Sequence, residues 1–354
     1  MLKINPSQPA LWRNLHSLQI GAGRRAVVLD ALSDSQERLI AALYKGIADR
    51  QLPNLLRDLN LTEGEGDQLV AKLQPVLLEQ SAPPSRDLDE EFVASAFAEI
   101  IRASLNHSVQ GEQVLLQRAL RTVHISELSG CGLTLALALA AAGFGRVTSH
   151  DRETVSPGDI AVNGFASQFL AKPRIDSLRA LLAAAPGQMR VVSANGLTER
   201  NLESIDCAVI FANQALEPRS YVQWLNRDVP HLAVVFGADS VWVSPLIVPG
   251  RGPCLYCLEQ SRIDQDGSWP VLLSQLVTHK NRLDDASSRL FAAGLVLQKI
   301  LAHCDAVGGF SQTEEELCGY ELNHLTGTVS EVRWQPHEAC SCRLGSGQQF
   351  GEKS

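Results

Sequence analysis

One stretch, residues 122–151, TVHISELSGCGLTLALALAAAGFGRVTSHD, constrains the fold more than any other. A short β-type run over 123–128 leads into Ser129, Gly130, Cys131 and Gly132, and an unbroken apolar helical pattern follows over 133–142. Gly143 and Gly145 end that helix, and a second strand over 146–149 closes on Asp151. Strand, glycine turn, helix and strand within about 30 residues is the size of one mononucleotide-binding βαβ half. The right-handed crossover makes the two strands parallel neighbours. Glycine accepts positive φ and lets backbone N–H groups face a phosphate at a helix start. Gly130 and Gly132 supply two of the three glycines of that pattern, and Leu135 holds the third place. The stretch points to the fold. For its ligand, a nucleotide and a plain βα turn stand as equal alternatives.

The rest of the chain extends this unit. Patterns over 174–184 (helix), 189–194 (strand), 206–212 (strand), 219–226 (helix), 231–236 (strand) and 241–248 (strand) alternate as in a doubly wound sheet, with ligands at the strand C-terminal ends. A long apolar helix is expected over 288–304 and a closing hairpin over 319–325 and 328–334. Ahead of the sheet, residues 1–82 read as a small separate domain. Strands at 11–20 and 26–29 precede a helix opened by Ser33, then helical patterns at 52–59 and 66–78. Two strands and three helices in that length resemble a winged-helix module, and without a dense Lys/Arg stripe peptide binding ranks above DNA. Residues 81–85, SAPPS, break the chain, and 83–117 read as linker and helix. The polar end, 345–354, is expected to be disordered.

A formal charge of −8 argues against nucleic acid as the main partner, since phosphate backbones need a basic surface. The longest apolar run, 133–142, falls short of the ~20 residues that span a bilayer, and no signal-peptide pattern stands at the start. The expected compartment is the cytoplasm. There, two close cysteine pairs, Cys254/Cys257 and Cys340/Cys342, suggest a metal rather than disulfides. Four thiolates suit a structural, tetrahedral zinc and leave no open position for catalysis. His337 stands near enough to replace one of them. The alternatives are a redox pair or plain buried thiols. Cys131, at a helix start, is read as a buried filler rather than a catalytic thiol.

The glycine turn, the acid at the end of the second strand and the paired cysteines after the sheet together resemble the E1-like family of ThiF, MoeB and the ubiquitin-activating enzymes. The resemblance spans 118–344. The block Gly252-Pro253-Cys254-Leu255-Tyr256-Cys257-Leu258, with Arg262, Asp264, Asp266, Trp269 and Pro270, is most similar to the cyclodehydratase-type members of azole-containing peptide biosynthesis. Those carry a winged-helix module that reads a leader peptide. The resemblance implies a Rossmann-like α/β fold with a C-terminal zinc site, ATP and magnesium as cofactors, adenylation of a peptide carboxylate, and a homodimer.

Carried over residue by residue, the nucleotide site comprises Gly130, Gly132, Asp151 for ribose, Arg174 as the cation (with Lys172 close by) and Asn213 at the magnesium position. Three further places depart from the family. They fall on Asp159, Val162 and Asn163, where an Asn, an Arg and a Gln would handle phosphates. Asp206 lies at the wrong end of its strand to serve. A valine in place of arginine removes a fixed cation, Asp159 would repel phosphate, and an amide is a poorer magnesium ligand than a carboxylate. The expectation is an E1-like protein with a degenerate ATP site that binds a peptide or small protein for a partner modification enzyme. An active ATP-dependent adenylating enzyme and a winged-helix regulator are the alternatives.

Overall fold

The computed structural model describes residues 1–79, 88–187, 189–195, 204–279, 281–305, 318–340 and 342. The linker expected at 81–85 and the tail at 345–354 lie outside the described residues. The chain divides into two compact units, Met1–Gln117 and Arg118–Ser354.

The first unit opens with an antiparallel sheet of β1 (Ala10–Asn14), β2 (Ser17–Ile20) and β3 (Val27–Leu29), in that order. The run 11–20, expected as one strand, is therefore a hairpin. The Asn14 side chain accepts the His16 N–H at 2.9 Å and turns the chain. Helix α1 (Asp34–Lys45) starts at a capping box of Ser33 and Gln36 and buries Leu39, Ile40 and Leu43. These pack with Ile4, Ile20 and Leu73, the last from α3 (Glu63–Leu73), which follows α2 (Leu52–Asp58). Three further helices, α4 (Glu90–Ser95), α5 (Phe97–His107) and α6 (Gly111–Arg118), enclose a second core of Phe92, Ile100, Ala103 and Leu115.

The second unit holds an eight-stranded sheet. Its strands are β4 (Thr122–Ile125), β5 (Arg146–Ser149), β6 (Arg190–Ser193), β7 (Cys207–Asn213), β8 (His231–Phe236), β9 (Ser240–Val243), β10 (Cys318–Asn323) and β11 (Val329–Arg333). Their order is β11-β10-β9-β8-β7-β4-β5-β6. From β6 to β8 neighbours are parallel, and from β8 to β11 antiparallel. Both faces are covered, which the strands register residue by residue. On β7, Cys207 and Val209 join the core under α7 (Gly130–Ala141) and α12 (Ala286–Cys304). Ala208 and Ile210 join the opposite core, with Tyr221 and Trp224 of α9 (Pro218–Leu225). Alternation with both sides buried gives the near-continuous apolar runs of a parallel sheet. The remaining helices are α8 (Arg174–Ala183), α10 (Leu255–Gln265) and α11 (Trp269–Leu276); the last two were not legible in the sequence.

The helix after β4 covers one face and the helix after β7 the other, so the chain diverges between these neighbouring strands. That is the topological switch point, and the crevice at their C-terminal ends is where such sheets bind ligands. At the opposite end of the same layer, Arg118 holds Asp305 through Nη2–Oδ2 at 2.6 Å and Nε–Oδ1 at 2.9 Å, both side chains 3% exposed. The pair ties the approach to β4 to the end of α12.

Candidate nucleotide crevice and metal centre

The turn after β4 is shaped as the sequence predicts. Gly130 has φ +49°, and a Cβ there would collide with the Asp284 carboxylate. A Cβ on Gly132 would collide with the Glu127 carbonyl, so this glycine serves close approach of helix to strand end. Leu135 is fully buried in the core beneath α7, which accounts for a large residue at the third place. Cys131 is 2% exposed, and burial pushes its thiol well above the usual range, consistent with a filler.

Asp151 stands two residues beyond β5, but its carboxylate is used within the protein. Oδ2 accepts the Leu128 N–H at 2.8 Å and lies 3.4 Å from Arg174 Nη1, and Oδ1 accepts the Glu153 N–H at 2.8 Å. Arg174 opens α8 and is itself buried. Its Nη2 and Nε reach Asp159 Oδ2 at 3.0 and 3.2 Å. Asp159 also takes Arg282 Nη1 at 2.5 Å and the Ser156 N–H and hydroxyl, each at 2.8 Å. Burial alone would raise the pKa of Asp159. Hydrogen bonds from Ser156, Arg282 and Arg174 outweigh it and hold the carboxyl at about 2. The expected repulsive acid is thus neutralised between two arginines.

Of the other expected positions, Val162 is fully exposed and Asn163 is exposed, both away from the crevice lining. Lys172 lies over the Phe169 ring at 5.6 Å. Asp206 pairs with Arg121 at 2.8 Å and accepts the Thr122 N–H, at the strand end opposite the crevice. Asn213 ends β7, and its Oδ1 accepts the Leu283 N–H at 2.9 Å. Arg282, Asp284 and Arg289 were not found by sequence reasoning. The signal available was Asp285, whose carboxylate caps α12 by accepting the Ser287 and Ser288 N–H groups, and which places 282–284 against a helix start.

The four expected cysteines converge. Cys254 and Cys257 flank the first residues of α10, while Cys340 and Cys342 return from beyond β11. Their sulfurs all lie within 4.8 Å of one another, with Cys254–Cys257 at 3.8 Å, Cys254–Cys340 at 3.6 Å and Cys257–Cys342 at 3.4 Å. Thiolates about 2.3 Å from a tetrahedral metal stand about 3.8 Å apart. The donor set therefore fits a metal ion and could hold one. Donation from Cys254 stabilises the Cys257 thiolate and lowers its pKa. His337 is not a fifth candidate: Nδ1 accepts the Ala339 N–H at 3.1 Å and Nε2 meets Asp264 at 2.7 Å. The surrounding shell is aromatic. Trp242 stacks on Trp334 at 4.8 Å, Arg262 lies over Trp242 and Trp269, and Glu259 receives the Trp269 indole N–H at 2.7 Å.

No family model matches the chain. Protein HesA of Nostoc sp. is 28% identical over 160 residues, 41% of this chain and 60% of HesA. The heterocyst HesA of Trichormus variabilis matches at 28% over 160 residues and 57% of its length. The match thus spans less than two thirds of these curated relatives. Among solved structures, E. coli MccB with ATP superposes with a TM-score of 0.66 at 13% identity, covering 96% of this chain and 98% of MccB. MccB in complex with N-formylated MccA gives 0.65 at 13%, covering 96% and 99%. PaaA gives 0.66 at 17%, covering 92% and 98%. With the switch-point crevice and the converging thiols, these superpositions show that the chain has the E1-like, ThiF/MoeB-type fold.

Proposed function

We propose that this chain is an E1-like protein of peptide modification whose crevice no longer turns over ATP, and which presents a peptide to a partner modification enzyme. The observation that carries the reading is the state of the crevice. Asp151, Asp159 and Arg174 satisfy one another and the backbone, Asn213 holds Leu283, and Asp284 covers Gly130. The groups that a triphosphate and its magnesium would need are committed to internal partners. Support for a peptide comes from the fold neighbours: the microcin C7 biosynthetic enzyme MccB was solved with its MccA peptide. In this reading the N-terminal unit is a winged-helix-like reader of a leader peptide, and the cyclodehydratase-type resemblance names the pathway class. The four thiols hold a structural zinc that pins the chain end. A cytoplasmic homodimer completes the reading.

The experiment pairs two measurements on the full chain. Fluorescence anisotropy with peptides encoded beside its gene should show saturable binding. Magnesium-dependent ATP–pyrophosphate exchange with those peptides should stay at background. Binding to none of them would remove the peptide role.

The second reading is an active adenylating enzyme. It is favoured by Gly130 and Gly132, which keep the turn, and by the cation at Arg174 beside Asp151. Robust exchange abolished by Asp151→Ala would establish it.

A further inference from the structure

The crevice already has an occupant from its own chain. Asp284 stands directly over Gly130, at the N-terminal end of α7, where the fold would place a nucleotide phosphate. Its carboxylate is held by Arg282, Nη2 to Oδ2 at 3.2 Å, and by Arg289, Nε to Oδ2 at 3.1 Å. Arg282 reaches past it to Asp159, and Asn213 holds the backbone between them through the Leu283 N–H. What remains among Glu127, Ser129, Asn213, Arg282 and Asp284 is a cavity of about 10 Å³, room for one water.

We infer that residues 282–284 form an autoinhibitory plug, with Asp284 seated in the phosphate place, so that the crevice admits a nucleotide only when Asp284 moves out. The inference rests on the reading of this crevice as a former ATP site. Its logic is charge competition. The sequence lacks the family's arginine at Val162, yet Arg282 and Arg289 bring two guanidinium groups to the same turn from the far side of the chain. Asp284 neutralises both. A phosphate would use the same donors, and guanidinium suits carboxylate and phosphate alike. With Asp284 in place the phosphate meets a like charge and no space; without it, the turn regains the room over Gly130 and two cations.

The test is calorimetric titration of the full-length protein with ATP, with and without magnesium. The variants are Asp284→Ala, Asp284→Asn and the double variant Asp284→Ala/Arg282→Ala. Both single variants should bind ATP at least about tenfold tighter than wild type, and the double variant should lose the gain. Asp284→Asn keeps the side-chain volume but drops the charge by which Arg282 and Arg289 hold it in place, so it leaves the turn more readily and carries the prediction if Asp284→Ala does not fold. Single variants that bind no better than wild type overturn the plug. So does magnesium-dependent binding by wild type that Asp284→Asn abolishes, which would make Asp284 a metal ligand. Pyrophosphate exchange on the same samples separates the two claims. Exchange by Asp284→Ala would contradict lost turnover and leave the plug standing, whereas absent binding would sink the plug alone.

Discussion

Replacing Cys340 by serine should release the chain end from the sheet unit. Cys257 and Cys342 are 85 residues apart in sequence, so a metal held by both pairs closes a loop of that length. Cross-link entropy for such a loop is about 4–5 kcal/mol at 25 °C. A metal lost from a four-cysteine site forfeits this and leaves the remaining buried thiols to reprotonate. For a unit of this size, each kcal/mol moves the midpoint of thermal unfolding by about 2–4 °C, so the expected fall is about 8–20 °C. Differential scanning calorimetry on wild type, Cys340→Ser and chelator-treated wild type reads the shift. Inductively coupled plasma mass spectrometry reads the zinc, expected at one per chain. A zinc content near zero in protein purified without chelator would refute the reasoning. So would a Cys340→Ser midpoint within about 2 °C of wild type, a shift worth no more than about 1 kcal/mol.

Other consequences can be checked on the same material. Asp305→Ala strands the buried Arg118 guanidinium and should destabilise by about 3–5 kcal/mol in urea titrations, whereas the paired Arg118→Met/Asp305→Leu variant should recover most of it. Burial holds His124 at about 3, helped by His150, and His231 at about 4, opposed by the Val229 carbonyl. Above the unfolded value of about 6.5 neither state binds these protons. As pH falls through it only the unfolded chain takes them up, so stability should drop by about 1.4 kcal/mol per pH unit per imidazole until the folded values are reached. Urea midpoints at pH 7 and 5 test this, and a flat profile would contradict the burial of both rings as neutral groups. Gly132→Ala should prevent close seating of α7 against the Glu127 carbonyl and lower the thermal midpoint. Gly158→Ala, which would meet only the Ser156 hydroxyl at ordinary contact distance, should not.

The sheet was legible because its signals are local. Strands buried on both faces read as apolar runs, and the glycine turn carries its own backbone requirement at Gly130. The cysteines were legible because two pairs with metal-type spacing restrict each other's partners. The plug was not legible: Arg282 meets Asp159 across 123 residues, and nothing in the Arg282-Leu283-Asp284 run has a period or a motif. The acids and cations carried over from the family resemblance were named one at a time, and the resemblance could not reveal that Asp151, Asp159 and Arg174 satisfy one another. The hairpin at β1 and β2 was read as one strand because its only local turn signal is Asn14. Helix α11 has no buried residue, so no contrast between faces marked it.

Under the proposed function, the crevice keeps its backbone shape while its charged groups serve the protein rather than a triphosphate. Crystals of the wild-type chain soaked with ATP and magnesium test this most directly. The expected result is the Asp284 carboxylate over Gly130 and no ordered triphosphate. An ordered γ-phosphate with its magnesium in that turn, and Asp151 turned to the ribose, would contradict it.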